Sequence, residues 1–132
     1  MKTLLGVAAA FLCFTLSARA ADVDGLVKQL QDKDSDVRRK AAKQLADAGP
    51  DAKDALPVLT DTVKGVVPKG KKMDNTNDIR LETADALGNI ASAADKDVLE
   101  ALKSLNAAKD AKRNKPLFDA INTAVKKIEA RK

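Results

Sequence analysis

Apolar residues recur every three or four positions along most of this chain, in six stretches separated by short polar or Gly/Pro-containing breaks. That period lines one face of a helix, whereas a half-buried strand would alternate every second residue. Val23, Leu26, Val27 and Leu30 predict a first helix from Asp22 to Gln31. Val37, Ala41, Leu45 and Ala48 predict a second, capped by Asp34 or Ser35 and stopped by Gly49-Pro50. Ala52, Ala55, Leu56, Leu59 and Val63 mark a third from Asp51 to Lys64, in which Pro57 forces a bend or a late start, a bend in one continuous helix being expected. Ile79, Ala84, Leu87 and Ile90, with Ala86 beside them, mark a fourth from Asp78 to Ala91. Val98, Ala101, Leu102 and Leu105 mark a fifth from Asp95 to Ala108. After the charged connection K-D-A-K-R-N-K, a sixth opens at Pro116 behind Asn114 or Lys115, a favoured first-turn place for proline. Its apolar face holds Leu117, Phe118, Ile121, Ala124, Val125 and Ile128. The predicted fold is all-α, six helices in three antiparallel hairpins.

Part of this pattern occurs twice. The stretch D-K-D-S-D-V-R-R-K-A-A-K-Q-L-A-D-A-G from Asp32 to Gly49 returns at Asp74 to Ala91 as D-N-T-N-D-I-R-L-E-T-A-D-A-L-G-N-I-A. With Arg38 set on Arg80, Asp32 meets Asp74, Asp36 meets Asp78, Val37 meets Ile79, Ala42 meets Ala84 and Leu45 meets Leu87. The two arginines are 42 residues apart, or 33 once nine extra residues in the connection after Val63 are set aside. A period of a few tens of residues implies supersecondary units stacked into an array.

The two D-x-x-x-D-[VI]-R-x-x-x-A-x-x-L stretches resemble HEAT repeats, particularly the short type found in bacteria, over Leu26 to Leu59 and Asp74 to Leu105. The last hairpin departs from the pattern. Arg113 falls at the expected spacing, but no Val precedes it and no Asp lies six residues before it, so this unit is a degenerate cap or the array is shorter. The resemblance implies a right-handed α-solenoid of about three HEAT-like repeats, the second helix of each pair lining the concave side. It also implies that Asp32, Arg38, Asp74 and Arg80 form a ladder of charge-assisted hydrogen bonds between neighbouring turns. A guanidinium fork suits that role, since it bridges two carboxylates or loop carbonyls at once.

The N-terminus reads differently. Lys2 precedes an apolar run from Leu4 to Leu16, and Ala18-Arg19-Ala20 follows as a small-x-small site, the pattern of a secretory signal peptide. Residues 1–20 are therefore expected to be removed and 21–132 to form one helical domain, secreted or periplasmic, with no stable membrane insertion after cleavage. Cys13 does not make a lipoprotein site, because Phe11-Leu12 precede it within the apolar run.

Cleavage changes the chemistry on offer. Lys2, Arg19 and Cys13 leave with the leader, so 22 basic residues face 19 acidic ones and no thiol remains. An exported chain without disulfides holds itself together by packing. The mature chain also has no His, Trp or Tyr, and Phe118 is its one aromatic residue. Imidazole- or thiol-based nucleophilic sites and metal centres cannot be built from it. The D-x-D-x-D string of Asp32, Asp34 and Asp36 has neither the glycine at position six nor the glutamate at position twelve of a calcium loop. No enzyme, cofactor or metal site is expected.

Binding is the remaining class. Lys69, Lys71 and Lys72 sit in the extra residues of the second connection, and insertions in repeat arrays gather on one, often binding, face. From Lys103 to Lys132 nine basic residues face three acidic ones, whereas the rest of the mature chain is slightly acidic. The expected function is a non-catalytic protein-binding scaffold whose partner is another protein. The alternative is an electrostatic adaptor that meets an anionic polymer or surface through its basic C-terminal end. Bases find no aromatic platform here, which disfavours nucleic acid. Some short HEAT-like arrays resemble bilin-chromophore lyases, but export and the missing Cys, His and Tyr count against that chemistry.

Overall fold

The computed structural model describes residues 22–66 and 76–131, the side chains of 110 and 111 excepted. The leader and its cleavage point, Asp74, and Lys69, Lys71 and Lys72 lie outside the described residues. Every regular element among the described residues is helical: α1 Val23–Gln29, α2 Ser35–Ala48, α3 Leu56–Lys64, α4 Asn77–Ile90, α5 Lys96–Ala107, α6 Lys109–Arg113 and α7 Lys115–Ala130, with a 3-10 stretch Gly49–Ala55 before α3.

The expected helix starts are explained by their caps. Asp22 and Asp34 accept from the Gly25 and Asp36 amides, and Asn114 accepts from Leu117 N, each satisfying a first-turn donor that has no partner inside the helix. Two expectations need correction. Asp51 to Lys64 is not one bent helix: Ala52, at φ −95° and ψ 24°, is non-helical, and the α-helix begins only at Leu56. Pro57 then lies in the first turn, where its missing N–H removes no helix hydrogen bond. The six-helix count also fails. The K-D-A-K-R-N-K connection contains one further helical turn, α6, because extended Ala108 ends α5 and Asn114 starts α7 anew.

Gly49 and Gly65 carry the positive φ values among the described residues. Gly65, in the left-handed region at φ 79° and ψ 15°, closes α3; the Val66 amide reaches back to Asp61 O at 2.9 Å. Gly49, at φ 62° and ψ −141°, lies outside that region, in backbone space that L side chains rarely enter.

α4 is the centre of the molecule, packed on α2, α3 and α7. Side chains give the directions. Asn89 near the end of α4 donates to Ala46 O near the end of α2 and accepts from Lys127 near the end of α7. Arg39 and Glu82 meet near the starts of α2 and α4. α2, α4 and α7 therefore run parallel, side by side. α5 runs against α7: Lys103 meets Glu129, and Asn106, further along, meets Asn122. α3 packs on α5, and the 3-10 stretch packs on α1, so the first helices of the pairs also adjoin.

Between these helices lies one apolar cluster containing Leu30, Leu45, Leu59, Leu87, Ile90, Leu102, Leu117, Ile121 and Ile128. Burial follows the sequence period, with Val23, Val27, Val37, Ala48, Leu105, Phe118 and Val125 left half-buried at its margins. α4 also buries Thr83 and Gly88. The Thr83 hydroxyl donates to Ile79 O at 2.6 Å, so its burial leaves no polar group unpaired.

Candidate functional site

The sequence-marked arginines are found bracing backbone. Arg38 is buried, and its Nη1 donates to Asp32 O at 2.7 Å and Lys33 O at 3.0 Å in the turn before α2. The Asp32 carboxylate accepts from the Asp34 amide at 2.8 Å. Arg80 Nε donates to Val63 O at 2.9 Å, in the last turn of α3. Each arginine thus satisfies carbonyls between the two helices of its own hairpin, where a cation is favoured at a helix C-terminus. Asp74, the fourth member of the expected ladder, is outside the described residues, as are the three loop lysines.

A third arginine does the same work without any sequence mark. Arg131 Nη1 lies 3.1, 2.8 and 3.0 Å from the carbonyls of Gly88, Asn89 and Ala91. Its own carbonyl accepts from Ala93 N at 3.0 Å. This residue ties the end of α7 to the end of α4.

The surface with the most built-in polar geometry is the face shared by α2, α4 and α7. Glu82, Asp85 and Asn89 fall at i, i+3 and i+7, one stripe of α4. Arg39 stands on the α2 side, 3.8 Å from Glu82, and Lys127 on the α7 side, 3.1 Å from the Asn89 side-chain oxygen Oδ1. Burial raises the Asp85 carboxyl above its ordinary value, and Glu82 adds to the rise while Lys127 opposes it. Its charge is thus held in a place that stabilises it less than water does. The Arg39–Glu82 pair is long and half-exposed, so it contributes under about 1 kcal/mol and is readily exchanged for another partner. Periodicity had marked only the apolar side of α4. The polar stripe was visible in the same helix, but which neighbours flank it depends on the packing of α2 and α7.

Three grooves stand out among the described residues. One of about 590 Å³ runs between the start of α3 and the start of α5, with Lys53, Asp61, Lys96 and Asp97 over Leu56, Pro57 and Val98. A second, of about 560 Å³, lies along α5 at Leu99, Lys103 and Ser104, and a third, of about 390 Å³, separates Asp22 and Gln29 from Gln44. All three are open. Among the described residues no three carboxylate, imidazole or thiol side chains gather as metal ligands would. Likewise, no helix among them is long and apolar enough to cross a membrane.

No family model, no curated protein and no solved structure matches this chain.

Proposed function

We propose that this protein is an exported, non-catalytic scaffold that binds another protein, built as a short HEAT-like α-solenoid. The observation that carries the reading is the parallel setting of α2, α4 and α7, which makes one continuous polar face out of three separate hairpins. An array of that kind presents an extended surface rather than a pocket, and such surfaces suit partner proteins better than small substrates. The repeated D-x-x-x-D-[VI]-R stretch supports the same architecture, with the last hairpin as a terminal cap. In this reading the leader ends at Ala20, no cofactor takes part, and the protein works in the periplasm or outside the cell.

The working surface is the Glu82–Asp85–Asn89 stripe with Arg39 and Lys127 at its sides. Charges so arranged set partner choice and encounter rate more than raw affinity. The test is affinity capture from the exporting cell with the protein and with Glu82→Lys/Asp85→Lys as bait. A saturable partner held by the first and lost by the second, with both folded by circular dichroism, is expected. Equal capture by both overturns this face as the site. Intact-mass measurement of the exported form should give an N-terminus at Ala21, and recovery of the 132-residue chain from the cytosol overturns the localisation.

A further inference from the structure

The parallel run of α2, α4 and α7 has a consequence for charge. Gly88 packs on Ala124 and Asn89 meets Lys127, an offset that sets the first residue of α4, Asn77, level with the start of α7. α3 ends at the same place, because its Val63 carbonyl receives Arg80 from the first turn of α4. One end of the molecule therefore collects the C-terminus of α3, the start of α4, all of α6 and the start of α7.

At that end the α6 turn is basic and Val66 is exposed, while Asp32, Asp34, Asp36 and Asp78 stand at the starts of α2 and α4. Lys109, Lys112 and Arg113 of α6 are exposed and have no carboxylate within ion-pair distance among the described residues. Lys115, next along, is taken by Asp119 at 2.8 Å and adds little net charge. Lys64 is exposed at the end of α3. Two residues on is Val66, 49% exposed and the one exposed large hydrophobic among the described residues. The opposite end is mixed: Asp51, Asp54, Asp95, Asp97 and Glu129 stand there with Lys53, Lys96, Lys126, Lys127 and Arg131.

We propose that this end, formed by Lys64, Val66, Lys109, Lys112 and Arg113, rests on an anionic lipid surface and holds the scaffold there. Lys109, Lys112 and Arg113 lie exposed on one turn, and among the described residues they line none of the three grooves above. An exposed turn can reach a plane, whereas a linear polyanion is better held in a basic groove. Among the described residues the end offers, apart from Val66, no exposed large hydrophobic for a protein interface, which needs buried apolar or aromatic anchors. A fluid layer of headgroups asks for no such fit. It supplies about a fivefold gain in binding per Lys or Arg near the surface, and its boundary region accepts an apolar side chain such as Val66. The exposed carboxylates of Asp32, Asp34 and Asp36 at the first hairpin tilt the array so that its last hairpin meets the plane.

Sedimentation with vesicles tests this, using the protein as purified from the exporting cell. Vesicles rich in phosphatidylglycerol should bind it at low salt, and pure phosphatidylcholine vesicles should not. Lys109→Gln/Lys112→Gln/Arg113→Gln should weaken binding on the order of 100-fold. Lys28→Gln/Lys40→Gln/Lys43→Gln removes the same charge from the first hairpin and should cost far less. Val66→Ser should weaken vesicle binding while leaving retention on heparin unchanged. Equal losses from the two triple variants would assign the effect to net charge and overturn the proposal. Binding to heparin without binding to anionic vesicles would also overturn it, in favour of a polymer. The α4-face variant Glu82→Lys/Asp85→Lys should still reach vesicles, so failure of the scaffold reading and failure of this one are separately visible.

Discussion

A methyl group built on Gly88 of α4 would lie 2.9 Å from the Cα of Ala124 in α7 and 3.1 Å from its Cβ. The two helices meet backbone to backbone here, and a side-chain carbon has no room. Glycine inside a helix costs roughly 1 kcal/mol relative to alanine, so its presence in α4 is explained by the contact and not by helix propensity. The crossing also sets the level of Asn89 against Lys127 and of Arg131 against the end of α4.

Gly88→Ala should therefore destabilise the protein although it improves the local helix former. Overpacking against backbone costs about 1–3 kcal/mol, which exceeds the propensity gain. Urea melts should show a lower midpoint at unchanged slope. A midpoint at or above that of the parent would mean that α7 yields at this crossing.

Leu45 of α2 and Leu87 of α4 are fully buried and occupy matching places in the repeat. Leu→Ala at either should cost about 2–5 kcal/mol through the cavity it leaves. Exposed Lys53→Ala is the reference, with a change of about 0.5 kcal/mol or less. Thermal melts that fail to separate the leucine variants from this reference would contradict the assigned faces.

Arg131→Ala removes the guanidinium from the carbonyls of Gly88, Asn89 and Ala91. Hydrogen bonds to a charged group contribute about 1.5–3 kcal/mol, and less where water replaces the donor. A loss of about 1–2 kcal/mol is expected. Hydrogen exchange should quicken first in the last turn of α4 and in α7. Faster exchange spread evenly over all helices would argue against a local tie.

Asp85 gives a pH signature. Its carboxyl is raised by burial and by Glu82, so the folded protein binds this proton more tightly than the unfolded chain does. The resulting penalty is absent below the unfolded carboxylate range, grows as pH rises to the folded value, and is complete above it. Asp85→Asn should thus stabilise the protein at pH 7 and have its advantage fade at pH 3. An advantage independent of pH would point to packing or hydrogen bonding instead of charge.

Helix spans and buried faces could be read from the chain because both depend on contacts a few residues apart. Apolar spacing, an Asp or Asn that can reach a first-turn amide, and a glycine able to take positive φ are local properties of the polymer. Leu45 and Leu87 belonged to the core on that ground alone, as did Arg38 and Arg80 to matching places in two hairpins. The six-residue reach from Arg38 to the turn carbonyls of Asp32 and Lys33 is of the same kind. Pro57 was legible only to within its alternatives, since bend and late start differ in where the preceding residues place their carbonyls.

Other features arise between residues distant in sequence, and only packing decides them. Asn89 meets Ala46 across 43 residues and Lys127 across 38, and Arg131 reaches Gly88 across 43. No period in the chain states which polar stripe of α4 will stand between α2 and α7. The same holds for the basic turn: Val63 O meets Arg80 where α4 starts, and α7, parallel to α4, brings Arg113 to the same end as Lys64. Composition determined that the C-terminal third is basic, whereas tertiary structure decided that Lys109, Lys112 and Arg113 lie exposed on a turn at the end of the molecule where Lys64 and Val66 are also exposed.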